Sequence, residues 1–419
     1  MNVGLSALLG RTFAALRVRN YRLYFASQIV SFSGNWMQSI ALAWLVLQLT
    51  GSGAALGTVL AMQFLPTLLL APYGGLIADR FEKRKLIIGT QSVAGVLALV
   101  LGIITLTGVV ELWMVYVLAA GFGSVTALDN PSRQTFVMEM VGPAGVSNAV
   151  TLNSVVINAA RAIGPAVGGV IIATWGVGEC FIFNAISYLA VIVAMCFIRP
   201  GELFAASRSV RAPGQLREGF RYVRETPVLR TTLLMLAVIG MLTYEFPTTL
   251  PMMSDFAFQS GASGLALMTT VMGIGAVVGG LIVAASPPPS PRRLTTVAPA
   301  FGAAVLLAAA MPTIELFCLM MPLVGALSVA TIATSNSTLQ LNSEPHLRGR
   351  VMSLFSMALL GSTPIGGPLV GWIGDHAGPR WSLVVGGVGA IVVSVVGRRA
   401  LPTAVHSPAQ DAGLAPLAN

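Results

Sequence analysis

The stretch Gly74-Gly75-Leu76-Ile77-Ala78-Asp79-Arg80-Phe81-Glu82-Lys83-Arg84-Lys85 ends a long apolar run with a dense group of charged residues. Its first four residues return in the second half of the 419-residue chain as Gly279-Gly280-Leu281-Ile282. That second copy continues as Val283-Ala284-Ala285, so alanines stand at the positions of Asp79 and Arg80. A repeat at about half the chain length predicts a duplicated bundle. Charged residues follow the first copy only. This difference predicts that only the first half carries a functional charged segment at the membrane surface.

Composition places this bundle in a membrane. Hydrophobic residues make up 55% of the chain and charged residues 9%, whereas a soluble domain has about 25% charged residues. The apolar residues form runs of about twenty, the length that crosses a bilayer as a helix. We therefore predict an all-α membrane protein with twelve transmembrane helices. The predicted spans are 23–49, 54–77, 86–108, 112–133, 147–174, 178–198, 231–254, 263–285, 294–311, 315–338, 351–373 and 381–397.

Two further matches support a division into two six-helix, pseudo-symmetric halves. Val110-Glu111-Leu112-Trp113 corresponds to Ile314-Glu315-Leu316-Phe317, and the stretch 163–169 corresponds to 365–371 at nearly the same offset. Parallel halves of this kind are a transporter architecture, with the substrate site between them near the membrane midplane. The predicted segments are an N-terminal half 1–198, a cytoplasmic linker 199–229, a C-terminal half 230–400 and a disordered cytoplasmic tail 401–419.

The net charge of +9 follows the predicted topology. With twelve spans, 22 of the 24 basic residues fall in loops on one side, one falls in a turn on the other side, and Arg161 falls inside a span. The positive-inside rule then places both termini in the cytoplasm, with the chain in the plasma (inner) membrane. This distribution argues against a nucleic-acid partner. Cys180, Cys196 and Cys318 have no metal-ligand spacing, so we interpret them as small apolar residues and expect no metal site.

The linker contains a predicted amphipathic helix. Its apolar and basic residues recur at helical spacing, which is typical of a helix that lies on the inner membrane surface. A tether between the halves is one interpretation, and a target for a regulatory protein is the alternative. The residues are Leu216, Phe220 and Val223 beside Arg217, Arg221 and Arg224.

The stretch from Gly75 to Arg84 resembles the loop between the second and third helices of the major facilitator superfamily, and the likeness extends over the whole chain. It departs from the family pattern at Glu82, where glycine is usual, and at Lys83, where arginine is usual. In that family such a charged cluster acts as a latch between the halves while the cavity opens outward. The alternative is an ordinary positively charged loop. The predicted latch residues are Gly75, Asp79, Arg80, Arg84, Asp129 and Arg133.

Physical arguments assign partners within this latch. Gly75 allows close helix approach, and Asp79 is placed to face a helix N-terminus, where the helix dipole favours an anion. The start of the eleventh span, near Arg350, is the expected position of that N-terminus. Asp129, at the end of the fourth span, is the expected partner of Arg80. An ion pair between Asp129 and Arg133, four residues apart on one helix, is the local alternative, and it does not exclude the latch.

Arg161 is the residue that costs most to place in a membrane. A central arginine costs about 2.5–3.5 kcal/mol on insertion scales, so we expect it to face the protein interior with a partner. The following motif, Gly164-Pro165-x-x-Gly168-Gly169, resembles the fifth-helix signature of antiporters in the superfamily, with Ala160 where a glycine is usual. A bend with a structural arginine is the alternative interpretation.

Glu245 is the carboxylate that falls well inside a span, in the seventh. A carboxyl group in apolar surroundings can take up and release a proton near neutral pH. We therefore predict that Glu245 couples transport to protons, with Arg161 setting its proton affinity. The alternatives are a carboxyl group that stays protonated, or one that lies near the outer interface.

Uncharged polar and aromatic residues within the spans form the predicted substrate cavity. Such a surface suits a bulky amphipathic ligand, and hydrogen bonding between helices is the alternative role. The cavity residues are Asn35, Trp36, Gln38, Gln63, Asn153, Asn158, Tyr244 and Asn336.

The opening stretch from Arg19 to Ser52 resembles one branch of the superfamily, which includes enterobactin exporters and macrolide efflux proteins (transmembrane secretion effectors). Asp129-x-Pro131-x-Arg133-Gln134 and the stretch 347–353 are similar to the same branch. The resemblance implies a proton antiporter that exports a small organic molecule such as a drug or siderophore by alternating access. The expected partners are that molecule, protons and membrane lipids, and the expected state is a monomer.

Other functions are distinguishable from export. An uptake carrier or uniporter and a lipid flippase can use the same fold. No phosphate-binding loop is present in the sequence, which excludes a self-contained ATP pump. His346, His376 and His406 fall outside the spans without catalytic or metal spacing, so we expect neither an enzyme nor a bound cofactor.

Overall fold

The computed structural model describes residues 13–204, 215–286 and 291–399. Within these ranges the backbone forms α-helices, short 3₁₀ turns and one π-helical turn, and no β-strand. The predicted tail 401–419 and part of the predicted linker lie outside the described residues. The helices are α1 (Arg19–Thr50), α2 (Gly53–Arg80), α3 (Lys83–Leu106), α4 (Leu112–Thr174), α5 (Val177–Phe197), α6 (Gln215–Glu225), α7 (Pro227–Leu242), α8 (Phe246–Met252), α9 (Gly261–Ala284), α10 (Pro291–Ala309), α11 (Ile314–Leu341), α12 (Arg348–Leu360), α13 (Thr363–Ala377) and α14 (Pro379–Arg398).

The predicted all-α membrane architecture is confirmed. Ten helical segments among the described residues are long and apolar enough to cross a membrane. One of them, α4, is bent at Gly142, so it contains both the fourth and the fifth predicted spans. Helix α10 corresponds to the ninth predicted span. The prediction of twelve spans is therefore consistent with the structure.

Glycine and serine residues set the helix boundaries that matter most for the sites. Gly51 ends α1 with a left-handed φ of 59°, and its N–H donates to the carbonyl of Leu47. Ser52 then caps α2, because its hydroxyl accepts a hydrogen bond from the N–H of Ala55. Gly142 has a φ of 67°, a conformation that only glycine adopts without strain, and it bends α4.

Two of the predicted spans are broken helices. The seventh span is divided between α7, which ends at Leu242, and α8, which begins at Phe246. The eleventh span is divided between α12, which ends at Leu360, and α13, which begins at Thr363. The sequence pattern predicts both spans as continuous helices. Broken helices expose backbone groups inside a bundle, and in transporters they mark binding sites.

The helices pack as two compact units. The first unit includes α1 to α5, and the second includes α7 and α10 to α12. The first unit consists of residues 13–204, 247–273 and 367–379, and the second consists of 215–246, 274–286, 291–366 and 380–399. The predicted halves therefore divide the sequence differently from these packing units.

Buried apolar residues form the interior of each unit, while many other large apolar side chains are exposed. Val46, Leu56 and Phe181 belong to one core cluster of the first unit. In the second unit, Leu236 and Val351 belong to the core that joins α7 to α12. Exposed apolar side chains spread along helix faces are expected of a protein that contacts lipid.

Candidate functional site

A buried ion pair with three polar partners joins three helices of the first unit. The Nε of Arg133 donates to Asp129 one helical turn earlier on α4, and its Nη1 donates to the side-chain oxygen of Gln28 on α1. Thr90 and Gln91 on α3 donate to the other oxygen of Asp129 at 2.6 and 3.1 Å. We call these five residues the Asp129 network. Asp129 and Arg133 are only 8% and 7% exposed.

The Asp129 network corrects one predicted contact. We predicted that Asp129 pairs with Arg80. Instead its partner is Arg133, and the exposed Arg80 forms no ion pair with Asp129 among the described residues. The physical reason is spacing, since residues four apart on a helix share a face and can pair inside the unit. The local alternative is therefore the arrangement observed.

Two other charged residues of the predicted loop contact the first unit. Lys83, at the start of α3, pairs with Glu139 on α4 at 2.8 Å, and both side chains are largely buried. Arg84 donates to the carbonyl oxygens of Met195 and Cys196 at the end of α5, at 2.7 and 3.2 Å. These contacts tie the loop to two neighbouring helices. The side-chain surroundings of Gly75 and Asp79 lie outside the described part of the structure, so their latch role stays a prediction.

Arg161 lies on the second limb of α4, and its guanidinium stands 5.0 Å from the ring centroid of Trp36 on α1. A cation over an indole face is stabilised by the ring's charge distribution. Trp36 is therefore an aromatic partner of Arg161 within the first unit. Glu245 belongs to the second unit, so the predicted influence of Arg161 on Glu245 stays a prediction.

The glycines after Arg161 allow close helix packing. A Cβ atom on Gly164 would lie 2.5 Å from the Cβ of Trp36 and 2.7 Å from the carbonyl oxygen of Ser33, so α4 and α1 touch there. Gly168 packs against Met37 in the same way, and Gly169 faces Ala266 on α9. Pro165 is buried with them. The motif has a clear packing role, and its role in antiport stays a prediction.

Two predicted cavity residues are hydrogen-bonded between helices. The amide of Asn184 on α5 donates to Gln38 at 2.7 Å and to Asn35 at 3.3 Å. The hydroxyl of Tyr188 also donates to Asn35, at 2.7 Å. Asn184 is 0% exposed. These bonds join α1 to α5, which is the alternative role considered for polar residues in the spans.

The other predicted cavity residues divide between the two units. In the first unit, Asn158 donates to the carbonyl of Ser154 on its own helix at 2.8 Å, while Gln63 and Asn153 are half-buried. In the second unit, the ring of Tyr244 stands 5.2 Å from that of Phe301. Asn336, also in the second unit, accepts a hydrogen bond from Gln340 on its own helix.

Glu245 lies in the break between α7 and α8 and faces the second broken helix. Its side chain is 1% exposed. The side chain of Thr363, the first residue of α13, is a polar neighbour of this carboxyl group. A Cβ atom on Gly366 would lie 2.9 Å from the Oε1 of Glu245. That Oε1 has no hydrogen-bond partner among the described residues, so one oxygen of a buried acid is left unpaired.

A family model described as "transmembrane secretion effector" matches residues 10–413. The chain belongs to this family. Transmembrane secretion effectors are major facilitator superfamily transporters, so the predicted family and the prediction of a non-enzyme are both confirmed. This transmembrane secretion effector is accordingly a multi-pass membrane protein.

Individual relatives of this transmembrane secretion effector are distant but cover most of its length. It is 25% identical to the staphyloferrin A transporter of Staphylococcus aureus over 90% of this chain and 94% of that relative. It is 27% identical to the multidrug efflux pump Tap of Mycolicibacterium fortuitum over 85% of this chain and 89% of the pump. A crystal structure of a bacterial homologue of the lysosomal transporter Spinster, inward-facing and unoccupied, superimposes with a TM-score of 0.72 over 92% of this chain and 97% of that chain, at 13% identity, which shows the fold alone.

Several residues of these sites in the transmembrane secretion effector were missed from sequence. Gln28 and Gln91 are polar residues inside predicted spans. Their polarity was the sequence feature that could have indicated a buried polar contact. Glu139 was missed because it follows the predicted end of the fourth span. In the structure the first limb of α4 extends past that end, up to the bend at Gly142. Asn184 was also missed, and its only signal was an amide in an apolar run.

Proposed function

We propose that this transmembrane secretion effector exports a small amphipathic organic molecule from the cytoplasm by alternating access, as a proton antiporter with both termini in the cytoplasm. Membership of the family and the likeness to a multidrug efflux pump support efflux transport. The observation that carries the coupling mechanism is Glu245, a buried acid at the junction of two broken helices with one unpaired oxygen.

The chemistry of Glu245 follows from its surroundings. A buried carboxylate without full hydrogen bonding is unfavourable in a bilayer, and binding a proton removes that cost. The hydroxyl of Thr363 is the neighbour that can stabilise the charged form when the proton leaves. Glu245 would therefore bind a proton in one conformation and release it in the other, while the breaks on either side let α8 and α13 move.

The proton gradient supplies free energy for this coupling. A difference of one pH unit supplies about 1.4 kcal/mol per proton, and a membrane potential of 100 mV supplies about 2.3 kcal/mol per charge. One proton per cycle can thus drive an organic molecule against roughly a tenfold gradient from a single pH unit. Residues of the predicted cavity in the first unit, such as the half-buried Trp36 and Gln63, would contact the molecule.

The test uses purified full-length protein in vesicles with an imposed pH gradient and a panel of fluorescent amphipathic dyes. We expect dye movement against its gradient only when the proton gradient runs the opposite way. Glu245→Gln should abolish uphill movement while leaving downhill exchange, because the neutral amide cannot carry a proton. Glu315→Gln, at the exposed start of α11, is the matched control and should transport normally.

Each other outcome assigns a different function. Uphill transport by Glu245→Gln would reject Glu245 as the coupling residue. Movement in one direction only towards the inside would identify an uptake carrier, and movement indifferent to pH would identify a uniporter. Flipping of labelled lipids with no dye movement would identify a flippase.

A further inference from the structure

A carboxylate at the end of α13 is hydrogen-bonded to the start of α2. The two oxygens of Asp375 accept from the hydroxyl of Ser52 at 2.7 Å, from the N–H of Gly53 at 2.6 Å and from the N–H of Ala54 at 3.0 Å. All four residues belong to the first unit. The first N–H groups of a helix have no partner within it, and the helix dipole favours an anion there. Asp375 therefore supplies the charge that this helix start needs.

Glycines bring the same two helices into backbone contact. A Cβ atom on Gly57 would collide with the backbone of Gly367, and one on Gly371 would collide with the backbone of Gly53. Each helix thus contributes two glycines, four residues apart, to one contact. Small residues at this spacing allow membrane helices to approach closely. The contact places the carboxylate of Asp375 against the first turn of α2.

The sequence around Asp375 repeats that of the predicted latch. Helix α2 ends in Gly75-Leu76-Ile77-Ala78-Asp79, and α13 ends in Gly371-Trp372-Ile373-Gly374-Asp375. Both follow the pattern Gly-x-Ile-small-Asp in the last turns of a helix. We predicted that Asp79, at the end of the second span, faces the start of the eleventh span. Asp375, at the end of the eleventh span, is observed to face the start of the second.

We propose that Asp375 is a clasp that holds the second and eleventh spans together at their outer ends in one state of the transport cycle and releases them in the other. This inference rests on the proposed alternating-access function. The second span belongs to the N-terminal half of the sequence and the eleventh to the C-terminal half. When the halves separate at the outer face to release the exported molecule, all three hydrogen bonds to Asp375 must break.

The pairing has a consequence for the transport cycle. Asp375 and Asp79 would hold the same two spans at opposite ends, so each would stabilise the state in which the other is released. Removing either carboxylate should change the fraction of the protein in each of the two states at rest. Neither substitution removes a group that binds the substrate. Asp375 is therefore a positioning residue. A contact that persisted in both states would give no such shift when it is removed.

The test measures distances in the full-length protein in lipid nanodiscs without substrate. Spin labels are placed at Thr107 after α3 and Ala310 after α10, both exposed, in a functional background in which Cys180, Cys196 and Cys318 are replaced. Double electron–electron resonance then gives the distribution of distances across the predicted outer face. We expect Asp375→Ala to increase the long-distance population at least threefold, and Ser52→Ala, which removes one of the three hydrogen bonds to Asp375 together with the cap on Ala55, to increase it less.

The controls separate a clasp from general damage. Glu111→Ala removes an exposed acid whose partner is the neighbouring Trp113, and it should leave the distribution unchanged. If Asp375→Ala lowers the melting temperature strongly, Ser52→Ala alone decides the result. Distributions identical to the unsubstituted protein in the folded variants would overturn the clasp.

The outcomes also distinguish the clasp from the proposed function. A shifted distribution in Asp375→Ala together with transport that ignores the proton gradient would keep the clasp and reject antiport. Proton-driven dye export with unchanged distances in the variants would keep the transport function and reject the clasp.

Discussion

Arg133 donates a hydrogen bond to Asp129 one turn earlier on α4, and both side chains are buried inside the first unit. Thr90 and Gln91 from α3 and Gln28 from α1 surround the pair. The Asp129 network thus joins α1, α3 and α4 through an ion pair and hydrogen bonds instead of through apolar contact. In this structure the carboxylate of Asp129 takes the local pair with Arg133 and not a bridge to Arg80.

Removal of Arg133 should strongly destabilise the protein. Arg133→Ala leaves the carboxylate of Asp129 buried without its counter-charge, and breaking a buried pair in this way costs about 3–5 kcal/mol. The melting temperature in detergent and the midpoint of denaturant unfolding measure the loss. Arg199→Ala is the control, because its pair with Glu202 is solvent-exposed and should contribute about 0–1 kcal/mol. Equal effects of the two substitutions would contradict a special role for burial.

Lys83 and Glu139 should be energetically coupled. Their 2.8 Å pair is largely buried and links the start of α3 to α4. A double-mutant cycle with Lys83→Met and Glu139→Gln should give a coupling free energy of about 0.5–3 kcal/mol. The same cycle on Lys85 and Glu82, an exposed pair three residues apart, should give a value near zero. Additive effects of Lys83→Met and Glu139→Gln would mean that the contact carries no net energy.

Gly164 should not tolerate a side chain. A methyl group there meets Trp36 and Ser33 on α1, and overpacking of this kind costs about 1–3 kcal/mol. Gly164→Ala should therefore lower the melting temperature. Gly89→Ala is the matched control, since the space around Gly89 on α3 is open and alanine favours a helix by about 0.5–1 kcal/mol over glycine. The two substitutions should move stability in opposite directions.

Asp79 should matter for transport and not for folding. Asp79→Asn keeps the size of the side chain but removes the charge that the predicted latch requires. We expect dye export in vesicles to fall severalfold with no change in melting temperature. Glu82→Gln, two residues beyond the end of α2 and exposed, is the control within the same loop. Normal export by Asp79→Asn would reject the latch.

Removal of Asn184 should disturb two helices at once. Asn184→Ala leaves the side-chain oxygen of Gln38 without its donor inside the first unit, and an unsatisfied buried polar group costs about 1–3 kcal/mol. Asn158→Ala is the control, because that amide bonds only the carbonyl of Ser154 on its own helix in the described structure. A difference in unfolding free energy between the two variants would assign Asn184 to the α1–α5 contact.

The membrane spans were the part of the fold that the sequence predicted best. The spans were predictable because the thickness of the hydrocarbon core sets the length of an apolar helix. Failures occurred at particular contacts. The breaks at Thr243 and Gly361 were missed because both spans were predicted from hydropathy alone, although Pro247 and Pro364, in the first turns of α8 and α13, are local signals for a helix start. The pairing of Asp129 with Arg133 was considered only as an alternative, because several basic residues lay within plausible reach in the sequence.

The sequence by itself determined that this chain is an all-α membrane protein with two related halves, because hydropathy and the half-length repeat are properties of the chain alone, and its motifs resembled those of the family that the family model then showed. Only the tertiary structure decided which polar groups meet. Asp375 and Ser52 are hundreds of positions apart, yet their hydrogen bond of 2.7 Å places α13 on the start of α2. Glu245 becomes a buried acid with an unpaired oxygen only because α13 packs against the break after α7. The physical reason is that hydrogen bonds and ion pairs act over a few ångströms, and long-range packing alone sets those distances.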